Sequence, residues 1–274
     1  MGISGIVSII IIAVTSFISY KGFNSSNFYA KNEFEVEKIL LHREYKRLVT
    51  SGFIHVNWQH LLFNMISLLF FSFPLENAFG PLKFSLLYFA SLIGGNLIAL
   101  LIHRKNPSYS SVGSSGAING IIFASIVVNP GLRIFFLPGW VFGLIFIFYS
   151  IYGIRSRRDN IGHETHLGGA LTGMLVSIAF QPAALHQNTI PIILMFLPTI
   201  AFMIIITTKP QLLFVDNYWY THKYNYTVDD RYNARKRNSE QEVDRILDKI
   251  NQQGYQLLTD DEKEFLKKAS NEDL

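Results

Sequence analysis

Long apolar stretches alternate with short polar ones over the first 209 residues of the chain. A helix needs about 20 residues to cross the hydrocarbon core of a bilayer, which is about 30 Å thick. Apolar runs of roughly this length, with very few charged residues, cover positions 3–20, 58–78, 84–103, 115–129, 134–153, 166–181 and 190–208. The pattern predicts an all-α fold, a polytopic transmembrane helical bundle in which the run at 190–208 is a further C-terminal span.

The composition changes after Lys209, and this change predicts the domain organisation. We expect a six-span core at 1–182, an extra transmembrane segment at 183–209, a polar linker with aromatic and basic residues at 210–238 and a soluble helical hairpin at 239–274. Capping boxes at 239–242 and 259–262 mark the two helix starts of this hairpin. Within the charged connection at 21–57, residues 34–49 predict an amphipathic helix at the membrane interface.

Composition and charge narrow the class of protein further. The chain is 49% hydrophobic and only 16% charged, as expected for an integral, multi-pass membrane protein. Its net charge of +4 gives no indication of a nucleic-acid partner, so we predict none. The absence of cysteine excludes disulfides and thiolate metal sites.

Two polar residues stand at the start of glycine-rich apolar runs. Ser115 precedes Gly116 and Gly120, and His166 precedes Gly169 and Gly173. Each glycine pair has the GxxxG spacing that allows a neighbouring helix backbone to approach closely. Packing the two glycine faces together brings Ser115 and His166 to the same depth, where a histidine can activate a serine hydroxyl. For either helix alone an interhelical hydrogen bond is the simpler interpretation, but the two together favour a nucleophile and its base.

A second pair of polar residues lies on the run that starts at Trp58. His60 and Asn64 are four residues apart and therefore share one helix face. Both side chains can donate a hydrogen bond to a developing oxyanion, together with the backbone N–H of Ser115. Taken by itself, the pair is more typical of a polar clamp between helices.

Other intramembrane chemistries do not fit the sequence. His163 and His166 flank a glutamate but are separated by three positions, whereas the zinc motif H-E-x-x-H requires four. No aspartate lies in an apolar run, which excludes a membrane aspartyl dyad. We therefore predict neither a metal nor a cofactor.

The order of these motifs resembles that of the rhomboid family of intramembrane serine proteases, in its six-plus-one span bacterial type. His60 and Asn64 form its H-x-x-x-N, Gly113 to Gly116 its G-x-S-G, and the stretch from His166 to Gly173 its H-x-x-G-x-x-x-G. The resemblance implies Ser115 as nucleophile, His166 as base and acid, and His60, Asn64 and the Ser115 N–H as the oxyanion hole. It also implies structural roles for Arg47 and Glu76, alongside the motif glycines Gly113, Gly116, Gly169 and Gly173.

The resemblance further implies an activity, a location and partners. The expected function is cleavage of transmembrane segments of other proteins, within the lipid bilayer of a bacterial cell membrane. The alternative is an inactive rhomboid-like protein that binds membrane clients. Asn119 departs from the family, some members of which place an aromatic residue there against the histidine. The family implies a cytoplasmic N-terminus, whereas the distribution of lysine and arginine favours the inverse orientation. The substrate and the oligomeric state stay open.

Overall fold

The structure, a computed structural model, describes residues 5–156 and 161–208, together with ten single positions in the C-terminal segment (243, 246, 247, 249, 250, 258, 259, 262, 263 and 266). The described helices are α1 (Ile6–Asn24), α2 (Ser26–Asn32), α3 (Val36–Leu40), α4 (Arg47–Thr50), α5 (Trp58–His103), α6 (Ser115–Val128), α7 (Gly139–Ser156), α8 (His163–Phe180), α9 (Ala183–Gln187) and α10 (Thr189–Thr208). Two-residue strands form two antiparallel pairs: β1 (Phe34–Glu35) with β2 (Ser110–Ser111), and β3 (Arg133–Ile134) with β4 (Leu137–Pro138).

Four of the described helices, α1, α5, α7 and α10, are long and apolar enough to cross a membrane. The 46-residue helix α5 breaks at Gly80, which has a left-handed φ of 77° and precedes Pro81. One cavity is lined both by His60, near the start of the first limb (58–79), and by His103, at the end of the second (81–103). The two limbs therefore run antiparallel. The chain is therefore the all-α multi-pass membrane bundle that the hydropathy pattern predicts, and α10 supplies the C-terminal span.

Helix α8 packs between α5 and α6 through glycines. A methyl group on Gly169 would collide with the backbone carbonyl of Gly116, and one on Gly173 with that of Gly120. On the other side, a methyl group on Gly95 of α5 would lie 2.6 Å from the Thr165 carbonyl oxygen. The two glycine faces thus meet as their spacing predicts, and backbone contacts backbone with no side chain between.

The buried carboxylate of Glu76 holds the start of α1. It accepts hydrogen bonds from the backbone N–H groups of Val7 and Ser8, each at 3.0 Å, and from the Ser8 hydroxyl. The first N–H groups of a helix lack partners within the helix, and its N-terminus favours negative charge. Glu76, in the first limb of α5, satisfies both requirements and fixes α1 against that limb.

The connection at 25–57 folds differently from our prediction. The expected amphipathic helix over 34–49 is wrong, because this stretch is divided among β1, α3, a turn and the start of α4. Phe34, Val36 and Ile39 are fully buried against Ala99 of α5 instead of facing lipid. The buried Arg47 guanidinium stabilises this connection by donating to the carbonyls of Ala30 and Glu33, each at 2.7 Å, and to Glu44.

Helix α10 packs on α7 and, with the turn that precedes it, completes the bundle. Met195 lies against Gly143, where a Cβ would be 2.7 Å from its sulfur. The side chain of Asn188 donates to the carbonyl of Val127 at 3.0 Å, which gives a partner to one of the orphan carbonyls at the end of α6.

Contacts within the chain divide it into two compact units, residues 1–221 and 222–274. The described positions of the second unit include helical residues at 243, 246, 247, 249 and 250 and at 262, 263 and 266. The capping box at 259–262 is confirmed, since Thr259 and Glu262 exchange backbone-to-side-chain hydrogen bonds at 2.8 and 3.2 Å. Lys249 also pairs with Glu262 at 2.8 Å. The predicted linker at 210–238 and the first capping box at 239–242 lie outside the described residues.

Candidate active site

The serine and histidine singled out in the sequence face each other. Ser115 is the first residue of α6, and His166 lies in the first turn of α8. The Oγ of Ser115 and the Nε2 of His166 are 2.8 Å apart, within the 2.6–3.2 Å over which a base can take a proton. The glycine contacts between the two helices set this distance, because they fix how closely the helix axes approach.

An aromatic side chain from a third helix lies near the histidine. Asn119 does not fill this place, because its side chain bonds to the carbonyl of Ser115 at 2.8 Å. Phe146 of α7 lies near the imidazole of His166, with 6.2 Å between ring centroids and 34° between planes. The sequence carries no sign of this contact, since Phe146 is one of several aromatic residues in α7.

Both residues open into a cavity of about 960 Å³. His60 and Asn64 also line it, so the structure brings together the four residues that the sequence proposes for the chemistry. One amide N–H of Asn64 donates to the carbonyl of His60 at 2.8 Å. The second amide N–H is not used by this bond. The first N–H groups of α6, those of Ser115 and Gly116, have no acceptor within the helix.

Gly113 lies in the cavity wall beside the ring of His60. Its φ of 123° is a conformation that residues with side chains rarely adopt, and a Cβ there would lie 2.7 Å from Cε1 of His60. Glycine is therefore required twice, by the backbone conformation and by the imidazole beside it. The conformation of Gly113 thereby positions the two residues that follow it, Ser114 and Ser115.

From the sequence alone, His55 has a weaker claim to the site than His60, since we expect it in a loop. It lies in the loop before α5, is fully buried, and packs against His60 with 4.9 Å between ring centroids. Burial, together with the neighbouring His60, lowers the pKa of His55 to about 3, so its ring is neutral near pH 7. No local sequence pattern indicates this position, because its partners are 36 and 59 residues away.

The hydrogen bonds of His55 define one tautomer. Its Nε2 accepts the backbone N–H of Ser114 at 3.3 Å and lies 3.2 Å from the Ser114 hydroxyl. Its Nδ1 lies 2.9 Å from the hydroxyl of Ser19, which in turn donates to the carbonyl of Phe53. Nδ1 therefore carries the proton, and His55 ties Ser114, the residue before Ser115, to α1.

The described residues contain no cluster of three or more histidine, cysteine, aspartate or glutamate side chains that could hold a metal ion. The ring of His163 packs closely on Gly153 and edge-on against both Tyr149, at 5.3 Å between ring centroids, and His166, at 5.9 Å.

Fold and site define a class: a multi-pass helical membrane protein with a serine–histidine pair at the wall of a cavity between its helices. The Rhomboid domain family matches residues 42–183, slightly more than half of the chain. The chain belongs to the rhomboid family. A family of unknown function, DUF6576, matches residues 226–272 in the C-terminal unit.

Individual relatives agree with this assignment. RHOMBOID-like protein 12, mitochondrial, of Arabidopsis thaliana is 31% identical over 143 residues, which are 45% of this chain and 43% of the relative. Rhomboid protease GluP of Bacillus subtilis is 30% identical over 136 residues, 50% of this chain and 26% of the relative. Inactive RHOMBOID-like protein 8 of Arabidopsis thaliana is 36% identical over 86 residues, 31% of this chain and 24% of the relative. The matches span less than half the length of each of these relatives.

Proposed function

We propose that this protein is an intramembrane serine endopeptidase that cleaves transmembrane segments of other membrane proteins. The observation that carries the proposal is the 2.8 Å distance between Ser115 Oγ and His166 Nε2 at the wall of a polar-lined cavity. A serine hydroxyl is a weak nucleophile until an adjacent base takes its proton. A positioned base of this kind contributes about 10²–10⁴-fold to a rate.

The proposed reaction uses the pair twice. His166 Nε2 takes the hydroxyl proton while Ser115 Oγ attacks the scissile carbonyl carbon. The histidine then gives this proton to the leaving amine, the C–N bond breaks, and an ester to Ser115 remains. A water molecule that loses its proton to His166 attacks the ester, and the second fragment leaves as Ser115 regains its hydrogen.

The tetrahedral intermediates carry a negative oxygen, which needs donors. We assign this role to the backbone N–H of Ser115 and to the side chains of His60 and Asn64, which share the cavity. Donors held in place before the reaction stabilise the transition state most effectively, and one such donor is typically worth about 10²–10³-fold. Gly113 and His55 support the group by fixing the turn that leads into Ser115.

The proposed partners are transmembrane proteins in the same lipid bilayer. We propose a bacterial cell membrane as its location; the matched relatives include GluP of Bacillus subtilis and a mitochondrial protein of Arabidopsis thaliana.

A second candidate function is client binding without catalysis. One of the matched relatives is named as an inactive rhomboid-like protein, so membership of the family does not by itself imply activity. The two candidates differ in one property, the reactivity of Ser115.

A fluorophosphonate probe tests that reactivity directly. We expect the purified protein to be labelled, Ser115→Ala to be unlabelled, and Ser114→Ala, which removes the neighbouring hydroxyl, to be labelled. The same three proteins should behave in parallel on a transmembrane peptide substrate. An unlabelled, inactive wild type would favour client binding, and labelling of Ser115→Ala but not Ser114→Ala would place the nucleophile one residue earlier.

A further inference from the structure

A second pair of titratable side chains lies at the cavity wall, outside the proposed catalytic group. The Nε2 of His103 and a carboxylate oxygen of Glu164 are 3.2 Å apart, with side chains only 9% and 12% exposed. Both residues line the same cavity as Ser115 and His166. The proposed reaction assigns no role to either of them.

The two residues join helix ends of opposite polarity. His103 is in the last turn of α5, where the helix dipole favours a cation, and Glu164 is in the first turn of α8, where it favours an anion. Each side chain therefore suits the polarity of its own helix end. The pair fastens the start of α8 to the end of α5.

His103 also holds the loop that leads to the nucleophile. Its imidazole stacks on the ring of Tyr109, with 3.5 Å between centroids and 7° between planes. Tyr109 packs edge-on against Phe34, and its carbonyl accepts the N–H of Val36 at 3.1 Å. Residues 104–114 are thus anchored on both sides immediately before Ser115.

Glycine packing alone leaves one motion of α8 weakly restrained. The contacts of Gly95 and Gly116 with Thr165 fix the distance between helices but are van der Waals contacts without a preferred direction. Glu164 is adjacent to Thr165 and two residues before His166, and its carboxylate contacts the His103 ring at 3.2 Å. It restrains rotation of the first turn of α8 about its own axis.

That rotation matters for the distance between base and nucleophile. Side-chain atoms lie about 6 Å from a helix axis, so a rotation of about 10° moves them by about 1 Å. A misplacement of about 1 Å can reduce a rate by about 100-fold. The 2.8 Å contact between His166 and Ser115 leaves little room for such a shift.

We propose that His103 and Glu164 form a positioning pair that holds the imidazole of His166 in line with Ser115. The inference rests on the proposed function, because it concerns the geometry of the same reaction. The pair does not touch the reacting atoms; it acts through the first turn of α8 and through the loop at 104–114.

Three variants of the full-length protein in lipid test the proposal: Glu164→Ala, His103→Ala and the double variant. Glu164→Gln keeps the size and a hydrogen-bonding oxygen and guards against a variant that fails to fold. Glu262→Gln is the matched control, because it breaks a Lys–Glu pair in the C-terminal unit whose carboxylate side chain is also 12% exposed. The measurements are kcat and KM on a transmembrane peptide, the rate of fluorophosphonate labelling, and thermal unfolding.

We expect Glu164→Ala to lower kcat and the labelling rate by about 10- to 100-fold, with KM within about twofold of wild type. The double variant should be no worse than the stronger single one, because the pair acts as a unit. Glu164→Gln should lose less than Glu164→Ala, and Glu262→Gln should match wild type.

The alternative outcomes are distinct. A lower unfolding temperature with unchanged kcat and labelling rate would show that the pair only stabilises the fold and would overturn the proposal. A raised KM with unchanged kcat would overturn it in favour of substrate binding by the pair. A wild type that neither labels nor cleaves would overturn the proposed function, and this inference with it; a reactive wild type with equally reactive variants would overturn the inference alone.

Discussion

Replacing Gly169 by alanine tests whether the contact between α6 and α8 sets the catalytic distance. A Cβ at Gly169 would lie 2.7 Å from the carbonyl carbon of Gly116 and closer still to its oxygen, whereas ordinary contact begins at 3.4 Å. The obstacle is backbone, which cannot rotate away, so the helices must separate by at least about 0.7 Å. Such overpacking typically costs about 1–3 kcal/mol of stability.

The same separation acts on the proposed pair. Added to the 2.8 Å between Ser115 Oγ and His166 Nε2, it gives about 3.5 Å, which exceeds the reach of about 3.2 Å for proton transfer. We therefore expect Gly169→Ala to lower the rate of fluorophosphonate labelling by at least about tenfold. Gly169→Leu should abolish labelling while the protein still inserts into the membrane.

The matched control is Gly22→Ala in α1. This glycine is also helical and buried, but its Cβ would be 3.5 Å from the nearest side-chain atom, an ordinary contact. Gly22→Ala should therefore label at the wild-type rate. Circular dichroism establishes that each variant keeps its helices. A helical Gly169→Ala protein that labels as fast as wild type would refute the argument that this contact fixes the distance.

Further predictions concern the catalytic group, the cap of α1, the buried His55 and the C-terminal span. Ser115→Ala and His166→Ala should each abolish cleavage, and the double variant should be little worse. Asn64→Ala or His60→Ala should instead leave about 10⁻²–10⁻³ of the activity. Equal loss in all four variants would argue against separate roles for the serine–histidine pair and the oxyanion donors. Glu76→Ala should destabilise the protein by about 1–3 kcal/mol in thermal or denaturant unfolding, because two buried N–H groups of α1 lose their acceptor; an unchanged midpoint would contradict this cap. The pKa of His55 is depressed to about 3 in the folded protein, so between about pH 6.5 and 3 the unfolded chain binds a proton that the folded one does not. The free energy of unfolding should therefore be fully present above that range and fall as the pH drops through it. His55→Gln should flatten this pH dependence in unfolding scans, and an equally steep curve would exclude His55 as its source. A tag at the C-terminus should be accessible to protease on the same side as the proposed active site, since α10 spans the membrane; protection on the opposite side would contradict a seventh pass.

The helices and the serine–histidine contact could be predicted because their signals are local. Apolar runs identify membrane spans, since a helix satisfies its backbone hydrogen bonds within its own segment where lipid offers no partners. The GxxxG pairs identify which faces meet, since only glycine permits backbone contact. The prediction of an interfacial helix over 34–49 was wrong because the sequence shows only that Phe34, Val36 and Ile39 are apolar. It does not show whether lipid or protein covers them.

Long-range contacts made by side chains outside such motifs carry no comparable signal. His55 bonds to a residue 59 positions away, and Glu164 to one 61 positions away. Phe146 is placed near His166 by the packing of α7, which is itself set by Gly143, Gly139 and their neighbours. Each of these side chains is typical of a membrane helix or loop, and only the fold shows which of them surrounds Ser115 and His166.

The length of α6 explains how the proposed hydrolysis can take place within such a bundle. Its 14 residues extend for about 21 Å, less than the roughly 30 Å of a hydrocarbon core. Asn188 satisfies one carbonyl at the far end of α6, while at the near end the polar loop at 104–114 and the cavity of about 960 Å³ meet Ser115. A helix too short to span must begin or end below the membrane surface, and polar groups at that depth require protein or water around them. The cavity provides that environment at Ser115, so the short helix and the polar loop together bring water and a hydroxyl to a depth at which a transmembrane segment can be reached.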